Sequence, residues 1–275
     1  MPEIFGSEAF SPRQIAAKIE SVGVVKARLP FFTMLMLGVL AGVFIGIGSM
    51  FSVIVKSDGG LTFATAAILS GIAFSLGLFI VIIAGAELFT GNNLLIMAWA
   101  YRRITTRELL RNWGVVFAGN LIGAMSFAAV VFLSGHASLN DGAIAEKYLA
   151  IAAAKCALPF WPAFFRGVLC NVLVCLAVWM ATAGRSVFDK FIAVTFPVTA
   201  FVAAGFEHSI ANLYFFPMAW LLQTFDRSAE VAVTWSGVIG NLVPVILGNI
   251  VGGGVLVGLV YYLVYLRRPF RESVE

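Results

Sequence analysis

The chain has 275 residues, 61% of them hydrophobic and 12% charged, with a formal net charge of +4 and a mean hydropathy of +0.97. That composition excludes an ordinary soluble domain and points to an integral membrane protein of several spans. The positive balance, with a pI near 9.1, arises from how Lys and Arg are shared among the connections, so no nucleic-acid partner is expected.

The first 29 residues lack the apolar core of a signal peptide. Ser11 and Pro12 read as the N-cap and first position of a helix, with Ile15, Ile19 and Val22 near one face. This predicts a short amphipathic helix on the cytoplasmic membrane surface, serving as an anchor or as a gate. Six apolar runs follow, near Phe31–Val55, Leu61–Tyr101, Trp113–Ser134, Phe160–Ala183, Phe191–Phe225 and Val238–Leu266. Together they form one membrane domain over 30–268, and 269–275 is a short tail. The N-terminal segment, the second and fourth connections and the tail hold 13 of the 18 basic residues, so both termini are expected in the cytoplasm.

Two runs are too long for one crossing. A helix needs about 20 residues to cross the hydrocarbon core, and a straight helix over Phe191–Phe225 would be about 50 Å long. Near its middle lies GFEHSIANLY, Gly205 to Tyr214, and the second run carries GAELFTGNNL, Gly85 to Leu94. Without gaps, Gly85 meets Gly205, Glu87 meets Glu207 and Asn92 meets Asn212, an offset of 120. A polar break within a membrane is tolerated only where protein buries it or where it lines a watery cavity. The breaks therefore predict half-helices restarting at Thr90, Gly91 and Asn92 and at Ser209, with those polar side chains as local caps. Each restart aims partial positive charge inward, which favours an anion. Either glutamate could simply bond free backbone groups across a kink. His208 beside Glu207 marks a route, because an ionisable residue at mid-depth is costly. Thr90, on the opposite break, is a candidate partner for His208, whereas His136 falls in a connection and is expected to be solvated.

The duplication extends further. FAGNLIGA at Phe117–Ala124 returns as ILGNIVGG at Ile246–Gly253, and LGVLAG at Leu37–Gly42 aligns with RGVLCN at Arg166–Asn171, both offset by 129. Three spans per copy predict an all-α protein with an inverted 3+3 repeat whose second and fifth spans are broken. Gly38, Gly42 and Gly46, Gly119 and Gly123, and Gly248 and Gly252 allow close helix approach. Asn120 and Asn249 are expected to bond between helices or to face the pathway. Cys156, Cys170 and Cys175 have no metal-ligand spacing and read as packing residues; no metal or cofactor is expected.

The segments GFEHSIAN, AELFTGNN, the two GN-x-x-G motifs and NVLVCLAVWMA closely resemble those of the formate/nitrite transporter family, with similarity from about Val22 to Arg268. The resemblance implies a homopentamer of aquaporin-like protomers in a bacterial inner membrane, each protomer with its own pore. By position, His208 corresponds to the family's central histidine and Thr90 to its facing loop threonine. Phe74 and Phe201 correspond to an outer constriction, and Leu78 and Phe89 to an inner one. Lys155 matches a vestibule lysine and Asn171 a polar pore residue. The expected solutes are formate or nitrite, with hydrosulfide as a further small monoanion; the short fifth connection and AELFTG look closer to nitrite-type and general members. Bare anions face a desolvation barrier in an apolar slit, and His208 can change charge near neutral pH, so passage is expected to be coupled to protonation there. The rival reading is an aquaporin-like water or neutral-solute channel, which would need Asn-Pro-Ala loops that are absent. An enzyme is not expected, because no nucleophile, metal cluster or phosphate loop accompanies the acidic groups.

Overall fold

The computed structural model describes residues 9–225 and 233–267, and its regular structure is helical. The expected tail at 269–275 lies outside the described residues, as do Arg227, Arg268 and Arg271. Helix α1, Pro12–Ala27, starts where the sequence indicates: Ser11 accepts the Gln14 N–H, and the Gln14 side chain accepts the Ser11 N–H. The buried positions on α1 include Ile15, Ile19 and Gly23, at helical spacing, while Val22 sits outside that stripe and is 49% exposed. Its apolar side packs on protein: Ile15 and Ile19 share a cluster with Leu94, Met97 and Trp179.

Five helices are long and apolar enough to cross a membrane: α2 (Phe31–Lys56), α3 (Phe63–Ala84), α5 (Thr106–Leu133), α7 (Phe160–Ala183) and the stretch Trp235–Leu266. The last begins as α10, Trp235–Asn249, and continues in the wider π winding over Ile250–Leu259 and Tyr262–Leu266, which the sequence did not announce. The remaining long run divides into α8, Val187–Ala203, and α9, Ser209–Phe225, each of 17 residues and so short of a full crossing. After α3 the chain makes a 3-10 turn at Gly91–Leu95 and the short α4, Ile96–Ala100. Helix α6, Ala143–Cys156, was not foreseen; it occupies the connection before α7.

Small residues set the packing. A Cβ on Gly38 would lie 3.0 Å from Val116 O, and one on Gly123 would overlap Val39 O, so α2 and α5 touch backbone to backbone. On α7 and α10 the same holds for Gly167 against Val245 O and for Gly248, whose Cβ would overlap Phe164 O. In lipid, where burial of apolar surface gives little net drive, such close approach is the main source of helix association. Helices α3 and α8 run antiparallel: Gly71 meets Thr199, and eight residues on, Phe79 meets Phe191. Large apolar side chains such as Phe32, Leu133 and Phe196 remain exposed, as suits a lipid-facing rim.

Candidate functional site

Each break opens at a glycine in the left-handed region, Gly85 at φ +81° and Gly205 at φ +69°. A Cβ is disfavoured there, and the conformation closes the preceding helix: Ala86 N–H donates to Val81 O, and Phe206 N–H donates to Phe201 O. The chain then crosses to a neighbouring helix. Glu87 N–H donates to Leu37 O at 3.1 Å, and Glu207 N–H donates to Arg166 O at 3.2 Å.

The first N–H groups of the restarts are received by other helices, not by the expected local Thr90 and Ser209 side chains. Asn120 on α5 donates to Gly38 O and Glu87 O and accepts the Phe89 N–H at 2.9 Å. Asn249 on α10 donates to Gly167 O and Glu207 O and accepts the Ser209 N–H at 3.0 Å. Local capping by Thr90 and Ser209 fails: the Thr90 hydroxyl is committed elsewhere, and Ser209 Oγ has no partner among the described residues. Backbone at membrane depth must find protein partners, and both asparagines supply them. They serve the breaks as well as holding helices together.

A charged bracket closes each break. Lys26 Nζ lies 3.0 Å from Glu87 Oε1 and donates to Asn92 Oδ1 at 3.1 Å. Asn92 donates to Glu87 Oε2 and to Asn112 Oδ1, and Asn112 donates back to Lys26 O. On the second break, Lys155 Nζ meets Glu207 Oε1 at 2.8 Å, Asn212 donates to Glu207 Oε2 and to Asn241 Oδ1, and Asn241 donates back to Lys155 O. Four of these bonds correspond atom for atom, and the Lys26 bond to Asn92 has no counterpart on the second break. Both glutamates are 4% exposed, and each carboxylate is neutralised and hydrogen-bonded. Lys26, Asn112 and Asn241 belong to these brackets without having been indicated by the sequence motifs. The signal was available: Lys26 precedes Lys155, and Asn112 precedes Asn241, by the same 129 that relates the GN-x-x-G motifs. Helix α1 is thus the counterpart of α6.

Between the brackets, Thr90 Oγ1 and His208 Nε2 lie 3.0 Å apart, both buried. His208 Nδ1 accepts the Ala211 N–H at 3.1 Å, so the imidazole caps α9. A backbone N–H can only donate, which leaves Nδ1 without a proton and assigns the neutral ring's proton to Nε2, pointed at Thr90. The Phe201 ring stacks on His208 with centroids 6.0 Å apart, and Phe74 meets Phe201 edge-on at 5.7 Å. Asn171 Nδ2 lies within bonding distance of Thr90 O, Asn93 Oδ1 and Asn249 O, so Asn171 braces the Thr90 backbone. The Cys175 thiol also reaches Thr90 O, at 3.5 Å, and the three cysteines are free.

Two cavities flank this pair. One of about 230 Å³ is lined by Lys26, Leu78, Gly85, Glu87, Leu88 and Gly91. The other, of about 90 Å³, is lined by Phe74, Lys155, Phe201, Gly205, Glu207 and His208. Phe74 and Leu78, one turn apart on α3, face one cavity each. The Phe89 ring packs on Phe117 and Trp113 of α5, with centroids at 5.2 and 6.4 Å. His136, expected to be solvated, is half-buried against Tyr148; its pKa is lowered by burial.

Broken helices that meet at a buried, ionisable ring between two charged vestibules define a transport protein of the membrane. A family model described as formate/nitrite transporter matches residues 13–263, and the chain belongs to that family. It is 39% identical over 269 residues to the formate channel FocA of Escherichia coli (strain K12), covering 93% of this chain and 94% of that one. It is similar to a solved "pentameric formate channel with formate bound" at 38% identity and TM-score 0.80, over 86% of this chain and 98% of that chain. A solved "FNT family ion channel" matches at 31% identity and TM-score 0.82, over 91% and 98% respectively.

Proposed function

We propose that the chain carries formate across a bacterial plasma membrane through a pore in each protomer of a homopentamer. The two halves form an inverted repeat of six spans with the second and fifth broken; the atom-for-atom brackets and the antiparallel course of α3 and α8 support this. With both termini cytoplasmic, Lys26 guards the inner vestibule and Lys155 the outer one. The single observation that carries the reading is His208 lining a vestibule while bonded to Thr90 on the opposite break.

A formate ion entering the slit between Phe74 and Phe201 loses hydration, at a cost of several kcal/mol or more. The vestibule lysines, each paired with a glutamate, offer it N–H donors at the two mouths, and His208 Nε2–H with the Thr90 hydroxyl replaces part of its water shell. His208 couples passage to protonation only by first becoming imidazolium, which requires Nδ1 to release the Ala211 N–H. Proton delivery is therefore linked to loosening of the α9 cap. Formate ranks ahead of nitrite and hydrosulfide because the matched FocA relative and the first solved neighbour are both named for formate. A water channel is the weaker reading, since its Asn-Pro-Ala loops are missing.

Flux of formate, nitrite, hydrosulfide, chloride and water into proteoliposomes tests the proposal. Formate flux far above protein-free liposomes and above chloride is expected. Water flux with no formate flux would favour the rival channel.

A further inference from the structure

The cavity lined by Lys155 and His208 contains a second basic side chain, Lys56, the last residue of α2, together with Ser52 one turn earlier. Lys155 is bonded to Glu207, so that pair carries no net charge at the mouth. Among the described residues Lys56 has neither an ion-pair partner nor a side-chain hydrogen bond and is half-buried. The charged groups acting on it are Lys155 and Lys147 from α6 and Glu207 from the second break. The cavity's lining therefore keeps one uncompensated positive charge, and Lys56 holds it.

The cavity of about 230 Å³ lacks this feature, although the adjoining one of about 80 Å³, which shares Lys26, Gly91 and Asn92, also takes in Lys18, whose Nζ lies 3.5 Å from the Phe10 ring centroid. Lys26 is the sole basic residue lining the cavity of about 230 Å³ among the described residues, and it is paired with Glu87. The position 129 residues after Lys56 is Arg185, whose guanidinium lies 4.3 Å from the Phe10 ring centroid, outside that cavity.

We infer that Lys56 is an anion-collecting residue of the Lys155-side vestibule, giving that mouth a monoanion site of its own. The inference rests on the proposed passage of formate. A half-buried cation in a low-dielectric funnel raises the local anion concentration, and its pull weakens with salt. Its simpler role would be to complement the negative end of α2, which affects stability but not anion capture.

The test is formate influx into right-side-out and inverted vesicles at low and high ionic strength, with melting measured in parallel. Lys56→Gln is expected to raise the half-saturating formate concentration about two- to fivefold from the Lys155 side at low salt, with an unchanged maximum rate. The shift shrinks at high salt, influx from the Lys26 side is little altered, and Lys56→Arg restores the native value. A native half-saturation in Lys56→Gln, or an equal shift from both sides, overturns the inference. Should Lys56→Gln fold poorly, loss of salt sensitivity on the Lys155 side of unmodified protein does the same. Absence of formate flux in unmodified protein would instead remove the proposed function itself.

Discussion

The two brackets share their wiring but differ in how firmly it is held. Lys26 reaches both Glu87 and Asn92 from a side chain 28% exposed, whereas Lys155 reaches only Glu207 from one 14% exposed. The helix carrying Lys155 is tied to α9 by a buried bond between the Tyr148 and Tyr214 hydroxyls at 2.8 Å. The positions 129 and 120 residues earlier are Ile19 and Leu94, which meet in an apolar cluster. A duplicated architecture thus keeps its break-closing bonds and varies the attachment of the helix that supplies the lysine. The Lys155 side is the less exposed of the two, and its helix has the additional hydroxyl tie.

The largest effect that could break this comparison is removal of one lysine. Lys155→Met leaves Glu207 buried and unpaired and is expected to cost about 3 kcal/mol or more, with partial recovery in Lys155→Met/Glu207→Gln. Lys26→Met is expected to cost about half as much, because water reaches Lys26. Melting midpoints in detergent measure both, and equal losses would mean that the exposure difference is energetically irrelevant.

Next come the shared caps. Asn120→Ala and Asn249→Ala each remove three bonds, two of them to a break, at a cost of about 2–4 kcal/mol. Chemical denaturation of the two variants should give matching losses; a wide gap would deny that the halves use their asparagines alike. The smallest effect is Tyr148→Phe, about 1 kcal/mol, with Tyr214→Phe similar and the double variant little worse than either. Additive losses would show that the hydroxyls act independently.

Much of this was legible in the sequence. The breaks were readable because apolar runs longer than a membrane's thickness are interrupted by glutamate, and because Gly85 and Gly205 are needed where φ is positive. The capping was not, since the N–H groups of Phe89 and Ser209 are received by Asn120 and Asn249, residues distant in sequence. Lys26 lies outside the apolar spans that carry the legible repeat, although the offset of 129 continues into α1. The contact between Thr90 and His208 does not follow from symmetry: their repeat partners are Ile210 and Leu88, both apolar. That pair is where the halves cease to be copies.

The central claim is that the His208 imidazole confronts the passing solute. Formate flux in proteoliposomes over a pH series, for unmodified protein, His208→Asn and His208→Phe, addresses it most directly. Losing a hydrogen-bond donor in a desolvated slit predicts a fall of about tenfold or more for His208→Phe, with a changed pH profile and a smaller loss for the amide-bearing His208→Asn. A correctly folded His208→Phe protein with native flux at every pH would contradict the account.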